Sequence, residues 1–258
     1  MKISAITTNY TTINQNRVTR STNSPAFQAY QPIKPPKSGI IYFSEKYFDP
    51  RKRKADISKI KEMKVPNFRV VTPTCASGGT FNDRPFKDLQ ELRKIGITTV
   101  IDFRGEAGSY LVQQCKKAKL NYIKFNLNNV LNLSNPEYFI HKNNERTEIT
   151  DKFVEKLKKF FKLVNKGNVY MGCQYGIDRT NMALTLNYLL NPDCDNPPEI
   201  LTWPYERKKT VVNRNIKAVK KIVKRLNEEQ KKQLNITENY NEFLKERIYQ
   251  LLAKNNLI

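Results

Sequence analysis

Asn168-Val169-Tyr170-Met171-Gly172-Cys173-Gln174-Tyr175-Gly176-Ile177-Asp178-Arg179-Thr180-Asn181 is the stretch on which the reading of this chain turns. Asn168 to Met171 is short and apolar enough for a central strand, and Asn181 to Leu190 reads as an apolar helix that stops before Pro192. Between them, Cys173 and Arg179 bracket Gly176, and Thr180 follows the arginine. The coincidence of those four residue types at those spacings is roughly one in a few thousand per cysteine, at average residue usage. A loop between an incoming strand and an outgoing helix points successive backbone N–H groups into one concavity at a helix N-terminus, which is an anion site.

Each residue type then has a chemical reason to be there. A cysteine at a helix N-terminus near an arginine is favoured as the thiolate, a good nucleophile toward phosphorus that gives a covalent intermediate. Arg179 offers a planar fork matched to two phosphoryl oxygens. Gly176 lets the loop curl close to a phosphate. Thr180 can donate its hydroxyl to the sulfur as the sulfur leaves. Asp178 can protonate a leaving oxygen and then activate water. Gln174, Tyr175 and Ile177 complete the loop as candidate substrate-binding positions. The plainer reading of Cys173 is a buried small hydrophobe, the common fate of a free cysteine, and it is the reading given to Cys75, Cys115 and Cys194.

Outward from the loop, alternating elements predict an α/β fold with a central, mainly parallel sheet flanked by helices and with C-terminal helices. Phe68 to Thr72 reads as a strand, followed by a loop containing Ser77, Gly78 and Gly79. Pro85 opens a helix with Phe86, Leu89, Leu92 and Ile95 on one face, stopped by Gly96. Thr98 to Phe103 reads as a strand buried on both sides. Helical residues around Leu111 to Lys119 lead to a strand over Tyr122 to Leu127. Asn128 to Ile149 is an asparagine-rich loop of a length that is usually functional. Thr150 and Asp151 cap a helix with Phe153, Leu157, Phe160, Phe161 and Val164 on its buried face, ending at Gly167. Val212, Ile216, Val219, Val223 and Leu226 fall at helical spacing, as do Tyr240, Phe243, Leu244, Ile248, Leu251 and Leu252.

Domain organisation follows. Residues 1–40 lack acidic residues and are rich in Thr, Asn, Ser and Gln, so they read as a disordered polar tail. Residues 41–200 read as the catalytic-type domain, and 201–258 as basic helices packed on it. The short cluster from Arg51 to Lys54 reads as a solvated loop.

The 258 residues carry 46 Lys and Arg against 24 Asp and Glu, a net charge of +22, which favours anionic partners. The same excess arises from nucleotide bias, since lysine, asparagine and isoleucine are abundant together. No run approaches the roughly 18 apolar residues of a membrane span, and Met1 to Tyr30 has no apolar signal region. The reading is therefore cytoplasmic, with secretion by a non-classical route left open. The four cysteines read as thiols, and with one His141 and no paired close spacing they predict no metal and no cofactor.

The loop resembles that of the protein tyrosine phosphatase superfamily of cysteine-based phosphatases. It is most similar to bacterial tyrosine and dual-specificity phosphatases, whose loops often end Asp-Arg-Thr. The ending Ile177-Asp178-Arg179-Thr180-Asn181 is also similar to that of Sac-type and myotubularin-type phosphoinositide phosphatases. Gly96-Ile97-Thr98-Thr99-Val100-Ile101-Asp102-Phe103-Arg104-Gly105 resembles the family segment from first helix to core strand, so the likeness covers about Ser77 to Leu190. The resemblance implies a phosphomonoester hydrolase with Cys173 as nucleophile, Arg179 as phosphate ligand and Asp178 as acid.

Three departures stand out. Gly172 replaces the usual His, Asn181 replaces a common Gly, and the lysines of phosphoinositide-selective loops are missing between Cys173 and Arg179. The mobile-loop acid of compact members is an Asp about thirty residues before the cysteine, but no Asp lies between Asp102 and Asp151. Glu145 is the alternative acid to Asp178, with His141 and Glu137 behind it. Trp203-Pro204-Tyr205 is only superficially similar to a Trp-Pro-Asp loop. Arg104 is expected to be structural, in an ion pair with Glu106.

The expected partner is a phosphorylated substrate, protein or inositol phosphate. The basic helix from Arg207 to Arg225 is first an amphipathic helix with solvated lysines, and secondly a site for an anionic membrane surface. Nucleic acid is disfavoured. The main alternatives are a phosphoinositide or inositol-phosphate phosphatase, and a catalytically weak phosphate-binding or membrane-docking module. Rhodanese-type sulfur transfer is disfavoured because those loops are shorter between Cys and Arg.

Overall fold

Strand pairing follows from which short runs are apolar on both faces. Val169–Gly172 (β7) and Thr99–Asp102 (β3) are buried at every position, and they sit at the centre of a five-stranded sheet. Cys75–Gly78 (β2) pairs parallel with β7 on one side, and Asn121–Lys124 (β4) pairs parallel with β3 on the other. Arg69–Thr72 (β1) closes the edge antiparallel to β2, giving the order β1-β2-β7-β3-β4. The computed structural model describes residues 54–59, 63–81, 84–106, 108–141, 147–202, 207–236 and 239–258. The tail at 1–40, Arg51 to Arg53, Glu145 and Trp203-Pro204-Tyr205 lie outside the described residues.

Helices cover both faces of the sheet, as parallel strands require. Pro85–Lys94 (α1) and Ser109–Lys117 (α2) pack on one face around Leu89, Leu92, Ile97, Leu111 and Tyr122. On the other face lie Asp151–Lys166 (α3), Asp178–Leu190 (α4), Lys208–Val223 (α5) and Tyr240–Lys254 (α7). Helix α3 buries Phe153, Val154, Leu157, Phe160, Phe161 and Val164. Each such side chain contributes about 1.5–3 kcal/mol on burial. Phe103 and Phe160 meet edge-to-face at 5.7 Å between ring centroids. Every residue of α4 from Thr180 to Leu190 is buried, so this helix is the internal spine that carries the signature loop.

The expected α/β architecture stands, with local differences. Ser77 and Gly78 belong to strand β2, where a loop was expected. Gly78 is tolerated in a strand because a Cβ there would fall 2.7 Å from the Tyr170 hydroxyl of β7. The asparagine-rich segment is partly structured: Phe139–Ile140 (β5) pairs with Glu148–Ile149 (β6), and Asn135 donates from Nδ2 to the Asn128 carbonyl at 2.8 Å. A short helix, Glu228–Gln233 (α6), was not expected, although its Asn227/Gln230 capping box is a sequence-level signal. Helix α4 begins three residues earlier than read, which places Asp178, Arg179 and Thr180 in its first turn.

Candidate active site

The site is built where β7 ends. Gly172 sits in register between Gly78 and Asp102, and the N–H of Phe103 donates to its carbonyl at 2.8 Å. From there the chain turns through Cys173 to Ile177 into α4, at the carboxyl end of the parallel strands where α/β sheets bind ligands. Gly176 supplies the turn with a φ of +71°, and a Cβ on it would lie 2.4 Å from the Gly78 backbone.

Donors from outside pin the loop carbonyls. The N–H of Thr80 donates to the Gln174 carbonyl at 3.0 Å, Asn67 Nδ2 to that of Tyr175 at 2.8 Å, and Arg69 Nη1 to that of Gly176 at 3.1 Å. Because N–H and C=O of a trans peptide point in opposite directions, holding three successive carbonyls outward turns the following N–H groups toward the concavity. Gln174 also accepts at Oε1 from Arg104 Nη1 at 3.1 Å.

Cys173 is buried at the floor, 4% exposed, and the Thr180 hydroxyl donates to its sulfur at 3.3 Å. Arg179 stands on the rim of α4. Its Nη1 donates to Glu106 Oε1 at 2.9 Å and to Asn128 Oδ1 at 2.7 Å, while Asn128 Nδ2 donates to Glu106 Oε2 at 3.0 Å. Burial alone would raise the Glu106 pKa. The hydrogen bonds from Arg179 and Asn128 outweigh it and hold the carboxyl down at about 2.

The remaining expected site residues are distributed around the mouth. Tyr175 is 65% exposed, and Ile177 is half-buried. Asp178 is exposed, and its Oδ1 accepts from Arg214 Nη2 of α5 at 3.3 Å. Of the other acid candidates, Glu137 is tied to Lys152 at 3.0 Å and accepts from Asn126 at 3.3 Å. His141 pairs with the Thr147 hydroxyl at 3.1 Å.

One expected pairing is replaced. Arg104 bonds Asp102, with Nη2 2.7 Å from Oδ2 and Nε 2.9 Å from Oδ1, and Asp102 accepts a further bond from Tyr122 at 3.1 Å. Glu106, the partner expected for Arg104, serves Arg179. The physical reason is burial: Arg104 and Asp102 both lie in the interior, where a charge must be matched at contact distance.

Four contributors escaped the sequence reading. Asn128 opens the asparagine-rich loop, and its proximity to Arg179 needs the fold to be known. Asn67 and Arg69 lie more than a hundred residues before the loop they hold. Asn181 was noted only as a departure from a family glycine; its side chain accepts from Arg69 Nη2 at 3.0 Å and donates to the Leu201 carbonyl at 2.6 Å. An asparagine here ties the loop to β1 and to the segment before α5, which a glycine could not do.

A parallel-centred α/β sheet with a cysteine-floored loop at its carboxyl edge defines the class to which the chain can be compared. The model of the tyrosine phosphatase family matches residues 78–254, and the chain belongs to that family. No curated protein matches the sequence. Among solved structures, the core catalytic domain of the PP-IP phosphatase SIW14 from S. cerevisiae, in complex with citrate, is 11% identical. That alignment covers 76% of this chain and 98% of the other, at a TM-score of 0.37. PTPMT1 is 14% identical over 72% and 97%, at 0.36. The Yvh1 phosphatase domain from Chaetomium thermophilum is 12% identical over 68% and 96%, at 0.31. At these scores the neighbours add no argument, and family membership rests on the family match.

Proposed function

We propose that this phosphatase-family protein hydrolyses phosphomonoesters through a phosphocysteine at Cys173, with phosphotyrosyl or dual-specificity protein substrates as its main class. The observation that carries the reading is the Thr180 hydroxyl aimed at the Cys173 sulfur at 3.3 Å, inside a loop whose carbonyls are held outward. A donor to sulfur is not distinctive by itself, since Asn187 Nδ2 donates to the Cys194 sulfur at 3.1 Å; what sets Cys173 apart is that the donor comes from the first turn of the helix its loop leads into. In the first step Sγ attacks phosphorus, the ester oxygen departs, and Asp178 gives it a proton. Arg179 and the loop N–H groups carry the charge of the transferring phosphoryl group. In the second step water attacks phosphorus, its proton passes to Asp178, and the P–S electron pair returns to sulfur, where Thr180 donates to it.

The ion pair of Asp178 with Arg214 is exposed and worth about 0–1 kcal/mol, so it does little to hold the side chain away from a substrate. Tyr175, exposed on the rim, offers a ring face to an aryl ester. A second reading, an inositol phosphate or inositide at an anionic membrane surface, is favoured by α5, which presents exposed Arg214, Lys217, Lys220 and Lys221 and contains no acidic residue. The deciding experiment compares wild type with Cys173→Ser on a phosphotyrosyl peptide, inositol phosphates and phosphoinositide vesicles. Cys173-dependent release from the peptide supports the main reading, and release from the inositides alone supports the second. No Cys173-dependent release from any of them would leave a phosphate-binding module.

A further inference from the structure

Helix α5 borders the mouth of the signature loop. It packs against α4 and against the turn Val130–Asn132, which follows Asn128, the residue that accepts from Arg179 at 2.7 Å. From α5, Arg214 Nη2 donates to Asp178 Oδ1 at 3.3 Å, and Asp178 stands next to Arg179 in the first turn of α4. A guanidinium from a separate helix thus already holds an anionic oxygen beside the loop.

Arg214 is not alone on its side of α5. Lys217 and Lys221 follow three and seven positions later, which puts the three cations in one stripe along the helix, and all three are exposed. Residues 207–225 include no Asp or Glu. Among the described residues neither Lys217 nor Lys221 has a carboxylate partner. Val212, Ile216 and Val219 are buried on the other side, so packing accounts for the apolar face and leaves the basic stripe unused.

We propose that Arg214, Lys217 and Lys221 bind a second phosphoryl group of a substrate whose first phosphoryl group sits over Cys173. The inference rests on the second reading of the site, an inositol phosphate or inositide, and names the residues that select such a substrate. Arg214 exchanges the Asp178 carboxylate for a phosphoryl oxygen. The exchange costs little, because the two side chains are 45% and 71% accessible. A phosphoryl group offers several oxygens at once, to the guanidinium fork and to the ammonium groups further along the stripe. Because Arg214 reaches a residue of the loop, the two phosphoryl groups must be close neighbours, as they are on one small ring. Two phosphorylated side chains of a flexible peptide reach that spacing only at an ordering cost. An inositol phosphate, free or as a lipid headgroup, therefore fits the stripe better than a doubly phosphorylated peptide.

The test is calorimetric binding in the full chain carrying Cys173→Ser, which needs no turnover. Inositol hexakisphosphate, inorganic phosphate, a doubly phosphorylated tyrosyl peptide, and phosphatidylcholine vesicles with phosphatidylinositol bisphosphate are titrated at fixed ionic strength. The variants are Arg214→Gln, the pair Lys217→Gln with Lys221→Gln, and a control pair on exposed positions of α3, Lys158→Gln with Lys162→Gln. K217Q/K221Q leaves the contact of Arg214 with Asp178 in place, so a loss there is not an effect on Asp178. The expected result is that the affinity for inositol hexakisphosphate relative to inorganic phosphate falls about tenfold in R214Q and in K217Q/K221Q. The control should change it by less than about twofold, since its charges are screened from the site. Thermal melts confirm that all variants are folded. A parallel loss on the vesicles assigns the stripe to the lipid headgroup as well, and no loss there assigns it to the free ring. An unchanged ratio in either stripe variant, an equal fall in the control, a fall confined to the vesicles, or a larger fall for the peptide than for the ring overturns the proposal. So does a parent chain that binds inositol hexakisphosphate no more tightly than inorganic phosphate. The expected fall, without Cys173-dependent release from any inositol phosphate or inositide, would instead refute the second reading of the reaction and leave the binding site standing.

Discussion

Arg179 and Glu106 form an ion pair 2.9 Å long across the mouth of the signature loop, and Asn128 bonds to both partners. The carboxylate fixes one end of the guanidinium, and in the proposed mechanism that is the pre-organisation transition-state binding would use. Glu106→Gln should lower kcat/KM about tenfold and weaken inhibition by inorganic phosphate. Its stability effect has a defined sign. The folded carboxyl titrates near 2, against an ordinary value of 4.5, so its contribution is present above about pH 4.5 and is lost as pH falls toward 2. Because Glu106 is 59% exposed, that contribution is below about 1 kcal/mol after solvent screening. Thermal melts of wild type and E106Q should differ at pH 6 and converge at pH 2; a constant gap refutes the assignment.

In the proposed mechanism Asp178 is the acid, and among the described residues its side chain meets only Arg214, in an exposed contact. Asp178→Asn should reduce phosphotyrosine hydrolysis about a hundredfold. Turnover of an aryl phosphate with a good leaving group should change by less than about threefold, since such a group departs without a proton. Equal losses on both substrates would exclude the acid role.

Arg247 of α7 closes the far end of the spine helix. It is buried, and its guanidinium donates to the carbonyls of Tyr188 at 2.7 Å, Pro192 at 3.0 Å, Asn191 at 3.4 Å and Cys194. It also stacks over the Phe243 ring at 4.3 Å. A cation here meets the orphan carbonyls and negative dipole end of α4. Arg247→Met leaves those carbonyls buried without a donor and should cost about 3 kcal/mol in urea unfolding. The 13 residues of α4 put the signature loop about 20 Å away, so activity per folded molecule should be unchanged. A parallel loss of kcat would show that α4 transmits strain to the loop.

What the sequence made legible was the local part of the site. Strand, loop and helix around Cys173 are contiguous, so spacing and periodicity were enough to put Gly176 in the turn and the Thr180 hydroxyl within reach of the sulfur. The apolar faces of α3 and α5 were likewise visible, because helical periodicity is a short-range signal, whereas on α1 Leu89 and Leu92 are buried but Phe86, read onto the same face, is exposed. The Arg104 partner was misread because Asp102 and Glu106 both lie two residues away, and burial alone chooses between them. Asn128 and Arg69 were invisible for a different reason: each acts across the sheet, and the register that brings β1 beside β7 through β2 is set by tertiary packing. Strand β2 was missed because its glycine, Gly78, lowers strand propensity, while close approach to Tyr170 requires it.

Gly172 gives the sharpest test of why this loop departs from its relatives. A sequence comparison alone suggests that restoring histidine before Cys173 would restore a missing activator. The structure argues the reverse, since a Cβ at 172 falls 2.4 Å from the carbonyl oxygen of Gly78, and the two strands are locked in parallel register at that pair. Relief would require β2 and β7 to separate, and Gly78 itself has a Cβ position blocked by Tyr170, whose hydroxyl donates to the Gly79 carbonyl at 2.6 Å. Gly172→Ala should therefore destabilise the fold by about 3 kcal/mol, and Gly172→His by at least as much. Urea unfolding measures the cost, and activity per folded molecule separates it from catalysis. Lower activity per folded molecule in G172H shows that strand spacing, passed through Cys173, sets the reactive geometry. A stable and faster G172H would show that the strands yield and that the histidine is an activator after all.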